Sequence, residues 1–130
     1  MKLSENCQGL NHLGLPTENL EKTIAFYESL GFTVAWRTQP GAAEGKVAFL
    51  QLNELVLEAY ECEQCPRVHG AWEHVCLDVD DVEAAFAAAK EGGYTLLDDA
   101  IRFLPFWEKG VRFFNVLGPS GEKVEFLQML

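Results

Sequence analysis

Four side chains in this 130-residue chain are of types that hold metals, and they recur at matched places. His12 lies in Leu10-Asn11-His12-Leu13-Gly14-Leu15 and His74 in His74-Val75-Cys76-Leu77-Asp78-Val79, 62 residues further on. The carboxylates Glu58 and Glu125 interrupt two apolar runs, Leu55–Tyr60 and Lys123–Leu127, 67 residues apart. Side chains alternate along a strand, so Leu57 and Ala59 point away from Glu58, and Leu13 and Leu15 away from His12. If the apolar sides pack on a helix, all four donors face the other way. A carboxylate inside an apolar strand needs a partner or a metal. Two imidazoles and two carboxylates suit Zn²⁺, Ni²⁺, Co²⁺, Fe²⁺ or Mn²⁺, with positions left for water or substrate. His69 has no matched counterpart and is expected on the surface.

The elements that carry these residues repeat too. Gly9–Phe32 overlies Ala71–Tyr94 without a gap, aligning Leu20 with Val82, Glu21 with Glu83, Ile24 with Phe86 and Gly31 with Gly93. The spacing of Leu20, Thr23, Ile24 and Tyr27 predicts one helix, capped by Asn19; Val82, Ala85, Phe86 and Ala89 predict another, with Asp80 and Glu83 as a capping box. Gly31 and Gly92 or Gly93 end them. Strands are expected at Leu10–Leu15, Phe32–Thr38, Lys46–Leu52 and Leu55–Glu61. In the second half they are expected at Glu73–Val79, Thr95–Asp98, Val111–Val116 and Lys123–Leu127. Pro40-Gly41, Asn53-Glu54 and Gly118-Pro119-Ser120-Gly121 mark turns. The irregular stretch 98–110 reads as a pocket-edge loop, and an insertion there accounts for the five extra residues between the carboxylates. Each half is therefore βαβββ, module one about 8–62 and module two about 70–130 of a single domain, joined by a linker at 64–70.

Composition narrows the partners. Ten Lys and Arg against twenty Asp and Glu give a net charge of −10, which disfavours nucleic acid and anionic membrane surfaces. The first residues contain no apolar run of signal-peptide length, so a cytoplasmic location is expected. Cys7, Cys62, Cys65 and Cys76 then read as free thiols, and the lone Cys62-x-x-Cys65 lacks the second pair of a structural zinc site.

These motifs, together with Ala25-Phe26-Tyr27-Glu28-Ser29-Leu30-Gly31-Phe32 and Val124-Glu125-Phe126 after the last turn, give the chain a resemblance to the vicinal oxygen chelate superfamily. That group includes glyoxalase I, methylmalonyl-CoA epimerase, extradiol dioxygenases, fosfomycin-resistance proteins and bleomycin-binding proteins. The resemblance implies an α+β fold in which two tandem βαβββ modules form a cupped, barrel-like mixed sheet with helices outside. It implies a divalent metal held by His12, Glu58, His74 and Glu125, as in glyoxalase I-like enzymes. The implied activity is that of a lyase or isomerase acting on a small substrate with neighbouring oxygens through an enediolate-type intermediate. Glu125 would be the base and Glu58 its counterpart. A non-catalytic binding protein of the resistance type and a metal-dependent dioxygenase or transferase are the alternatives. Pro16 and Cys62 stand where glyoxalase I commonly has Arg and Asn, which counts against glutathione. Phe49, Trp72, Phe106, Trp107 and Phe114 are candidate pocket walls. Arg37, Arg102 and Arg112 are candidate clamps for an anionic substrate, with the sequence alone not choosing among them. Modules in this superfamily pair, within a chain or across two, and a homodimer is expected.

Overall fold

The computed structural model describes residues 2–6, 10, 12–43, 45–68, 70 and 72–130. The expectations for Cys7 and His69, and the ends of the repeat at Gly9 and Ala71, lie outside the described residues. The chain divides into two compact units, 1–65 and 66–130. Both are α+β, and each forms its own mixed sheet.

The first unit opens with a short helix α1 (Leu3–Asn6) and continues with β1 (Leu13–Thr17), α2 (Leu20–Ser29), β2 (Thr33–Arg37), β3 (Val47–Leu52) and β4 (Leu55–Glu61). Its sheet runs β1-β4-β3-β2, with β1 parallel to β4 and the other pairs antiparallel. The second unit contains β5 (His74–Asp78), α3 (Val82–Glu91), β6 (Thr95–Leu96), β7 (Arg102–Leu104), β8 (Val111–Leu117) and β9 (Lys123–Met129). Its order is β5-β9-β8-β6, again with the first and last strands parallel, and β7 also pairs with β8. The stretch read as an irregular loop thus contains a strand, β7, that the first unit lacks. Three residues are too few for an alternating pattern to show.

Both helices follow their apolar stripe. Leu20, Thr23, Ile24 and Tyr27 are the buried residues of α2, which packs on β2, β3 and β4 against Ala48, Leu50, Leu57 and Ala59. Burying each large apolar side chain of this set contributes about 1.5–3 kcal/mol. On α3, Val82 and Ala89 are buried while Ala85 and Phe86 are half-buried. The Phe86 ring stands edge-on to Phe114 of β8, which stacks on Phe126 of β9.

The helix ends repeat in atomic detail. Asn19 Oδ1 accepts from the Lys22 amide at 3.0 Å, and Asp81 Oδ1 from the Ala84 amide at 3.0 Å. The second cap is therefore Asp81, which matches Asn19 at the 62-residue offset, rather than Asp80. Each helix also receives a side chain from the last strand of its own unit. Glu61 Oε2 accepts from the Leu20 amide at 3.0 Å, and Gln128 Oε1 from the Val82 amide at 2.9 Å. Glu61 and Gln128 stand 67 residues apart, the same spacing as Glu58 and Glu125. Past each helix, Gly31 (φ +101°) and Gly93 (φ +75°) take the left-handed conformation that returns the chain to the sheet.

The turn from β8 to β9 is closed by the Gly121 amide donating to the Gly118 carbonyl at 3.1 Å. Gly121 adopts φ +81°, and the backbone of Arg67 lies where a Cβ would stand. The start of the second unit is thereby seated on its last turn. No helix among the described residues is long and apolar enough to cross a membrane.

Candidate metal half-sites

In each unit the parallel pairing of first and last strands brings one imidazole to one carboxylate. Gly14 is in register with Glu58, and His12 precedes β1 by one residue. His12 Nε2 lies 3.6 Å from Glu58 Oε1. In the second unit Cys76 is in register with Glu125, and His74 Nε2 lies 3.5 Å from Glu125 Oε2. The neighbours Leu57, Ala59, Leu77 and Val124 are buried, so in both sheets the donors lie on the face away from the helix.

The chemistry of each pair fits a shared cation. Both N···O separations exceed the 2.7–3.2 Å usual for an N–H···O hydrogen bond. Two ligands at about 2.1 Å from one tetrahedral ion stand about 3.4 Å apart, close to both separations. Neutral imidazole and carboxylate are donors that borderline divalent metals accept. Within either unit the pair supplies two donors, and no group of three or more His, Cys, Asp or Glu that could hold a metal occurs among the described residues.

The two pairs differ in their surroundings. The Phe49 ring meets His12 edge-on, with centroids 5.4 Å apart, and Trp36 lies 6.1 Å from Phe49. Gly14, in register with Glu58, brings no side chain to it; a Cβ there would lie 3.6 Å from the Tyr60 ring and 4.0 Å from Glu58 Oε1. At the matching place in the second unit stands Cys76, whose thiol donates to Glu125 Oε1 at 3.3 Å. Desolvation, the Glu125 charge and this hydrogen bond push the thiol up to about 12. Cys76 follows His74 by two residues, so strand alternation already put both on one face. His74 Nδ1 lies 3.3 Å from Glu73 Oε1, and Glu73 also pairs with Lys123. That ammonium, more than His74, holds the Glu73 carboxyl below its ordinary range.

Asn115, in register with Glu125 on β8, is a buried polar residue within an apolar strand. Its amide and Nδ2 donate to Asp98 Oδ2 at 2.7 and 2.9 Å. Neither residue was singled out from sequence, although Asn115, the one polar residue in the run 113–117, was a usable signal.

The candidate pocket walls separate. Phe49 pairs with Glu58 on the donor face. Phe114 belongs to the opposite face and is core, 1% exposed against Phe86 and Phe126. Trp72, Phe106 and Trp107 are exposed, and Trp107 adopts φ +61° in the turn after β7. Of the arginines, Arg37 bonds Glu21 of α2 at 2.5 Å and Arg112 bonds Glu83 of α3 at 2.9 Å. Only Arg102 of the three lies on the donor-bearing face, in register with Phe113. Pro16 is within β1 and Cys62 follows β4, its amide bonded to the Thr17 carbonyl at 2.9 Å. Cys62, Cys65 and Cys76 are thiols.

Residues 9–126 match the Glyoxalase/Bleomycin resistance protein/Dioxygenase superfamily, and the chain belongs to that family. It is similar to the protein YwbC of Bacillus subtilis strain 168, with 28% identity over 126 residues, covering 92% of this chain and 96% of YwbC. Among solved structures it is similar to a glyoxalase family protein from Enterococcus faecalis, at TM-score 0.74 and 22% identity over 92% of this chain and 97% of that one. It is also similar to the fosfomycin resistance protein FosX of Listeria monocytogenes, complexed with Mn(II) and sulfate ion. That match has TM-score 0.73 and 15% identity over 95% of this chain and 94% of FosX.

Proposed function

We propose that this protein is a metal-dependent lyase or isomerase of the glyoxalase I type, acting on a small substrate with neighbouring oxygens. His12, Glu58, His74 and Glu125 are the ligands of one divalent cation, within a chain or between the two copies of a homodimer. The observation that carries this reading is the duplicated pair: one imidazole and one carboxylate on the helix-distal face of each sheet, 3.6 and 3.5 Å apart. The Mn(II) complex of FosX is a metal-bound relative by fold.

A divalent cation held by His12, Glu58, His74 and Glu125 would polarise neighbouring substrate oxygens and make the adjacent C–H more acidic. Glu125 is the general base. One carboxylate oxygen takes the proton, the C–H electron pair forms a C=C bond and the carbonyl π pair moves onto its oxygen; the same carboxyl then returns the proton to the neighbouring carbon while the hydroxyl proton of the first carbon passes to the neighbouring oxygen. Glu58 is the corresponding group of the other half. The thiol of Cys76 donates to Oε1 of Glu125, and Oε2 is the oxygen that faces His74. Phe49 forms an apolar wall beside His12.

The test is elemental analysis after loading with Zn²⁺, Ni²⁺, Co²⁺, Fe²⁺ or Mn²⁺, on wild type, His12→Ala and Glu125→Gln, followed by anaerobic exchange of dihydroxyacetone protons in D₂O. One ion per chain is expected in wild type, with loss in both variants and exchange only in the loaded wild type. Protein that retains no ion is a binding protein instead. Oxygen uptake with Fe²⁺ and a catechol, without proton exchange, assigns it to the dioxygenases.

A further inference from the structure

The second half-site contains a braced arginine. Three cationic side chains lie on the strands of the second sheet. Arg112 faces the helix and bonds Glu83. Lys123 shares the Glu125 face and pairs with Glu73. Arg102 lies on the Glu125 face, because it is in register with Phe113, Phe113 is two residues from Asn115, and Asn115 is in register with Glu125.

Two contacts set the position of Arg102. Its guanidinium carbon stands 5.6 Å from the centroid of the Phe113 ring, a cation–π arrangement. Its NH1 is 3.6 Å from Asp98 Oδ1. The other oxygen of Asp98 already accepts two hydrogen bonds from Asn115. Asp98 is thus a fixed carboxylate, its side chain 11% exposed, and it draws the guanidinium toward the Asn115–Glu125 row. At 3.6 Å the Asp98 contact is an ion pair longer than a hydrogen bond. The donors of Arg102, 62% exposed, therefore remain available to a ligand. Arg102 and Glu125 lie on strands either side of β8, their Cα atoms roughly 12 Å apart across the sheet from its regular spacings. Both side chains are long and share one face, so the gap between their ends suits a small acid.

We infer that Arg102 is the specificity residue of the Glu125 half-site, and that the substrate carries a carboxylate which Arg102 grips while its reacting carbon lies at Glu125. This rests on the function proposed above and adds the charge of the substrate. A planar guanidinium fork matches a carboxylate in two parallel hydrogen bonds, which a lysine at this place would not provide. In a chain of net charge −10, an acid binds only where a cation is fixed to meet it.

The test is calorimetric titration of metal-free and Zn²⁺-loaded protein with glycolate, with its uncharged analogue glycolamide, and with hydroxymethylphosphonate. Wild type is expected to prefer glycolate over glycolamide at least about tenfold, the scale of one charge-assisted interaction. Arg102→Gln abolishes that preference, Arg102→Lys keeps part of it, and Arg112→Gln, altered on the helix side, keeps all of it. An unchanged preference in Arg102→Gln, or wild type that prefers neither anion to glycolamide, overturns the assignment. Stronger binding of hydroxymethylphosphonate than of glycolate overturns the choice of carboxylate. The ratio is read with and without metal. A preference lost in Arg102→Gln in protein that binds no ion supports Arg102 and refutes the metal reading. A loaded protein indifferent to Arg102→Gln does the reverse.

Discussion

Cys76 is an exposed residue whose sulfur should nevertheless react slowly, and the size of the effect follows from its partner. The thiol is pushed from 9.0 to about 12, first by desolvation, then by the Glu125 charge and the hydrogen bond it donates to that carboxylate. The thiolate is the reacting form, so at about pH 8 the reactive fraction falls roughly a thousandfold relative to an ordinary thiol. A more basic thiolate is intrinsically more nucleophilic, and three units of basicity return about 20- to 30-fold at a Brønsted slope of about 0.4–0.5. The net expectation is alkylation about 30- to 60-fold slower than that of a small free thiol. The assay is iodoacetamide labelling of chelator-treated protein, with Cys76 followed by peptide mass spectrometry against N-acetylcysteine. The sign of the pH dependence is also set. Raising pH releases the proton, and since release lies at about 12 the rate should keep climbing roughly tenfold per unit past pH 9. Glu125→Gln removes the charge but leaves the desolvation, so labelling should quicken severalfold without reaching the reference rate. Labelling of wild-type Cys76 at the reference rate, or a rate indifferent to Glu125→Gln, would refute the coupling.

Two further outcomes concern stability. Glu61→Ala removes the acceptor for the Leu20 amide, and Gln128→Ala the acceptor for the Val82 amide. Each should cost about 0.5–2 kcal/mol, as lost N-terminal helix acceptors do, and thermal melting should register both. Phe114→Ala empties a core position between Phe86 and Phe126 and should cost about 3–5 kcal/mol in urea unfolding. Wild-type metal content in the folded Phe114→Ala protein would agree with a packing role, and selective metal loss would contradict it.

What the sequence revealed, and what it hid, tracks how cleanly side chains alternate. In β4, Glu58 lies between Leu57 and Ala59, so its face was readable, and the matched offset carried the same reading to Glu125. In β8, Phe113, Phe114, Asn115 and Val116 are all buried, no alternation survives, and Phe113 and Phe114 could not be told apart by face. Only the register of β8 against β9 assigns Phe114 to the core. The helices were legible because a 3.6-residue stripe over ten residues is redundant, whereas β7 has three residues and no period to detect. The cap moved from Asp80 to Asp81 because two adjacent aspartates are equally good acceptors, and the repeat register, not residue type, distinguishes them. The Asp98–Asn115 brace joins residues 17 apart whose contact depends on the path of an irregular segment, which no local pattern encodes.

The seat of Arg67 against Gly121 bears on how this chain can be re-engineered. A new terminus or an inserted reporter placed at residue 67 would prise the chain off a turn that has no room for even a methyl group. The exposed hairpin at 53–54, whose tip touches no such seam, is the better place to open the chain or graft onto it.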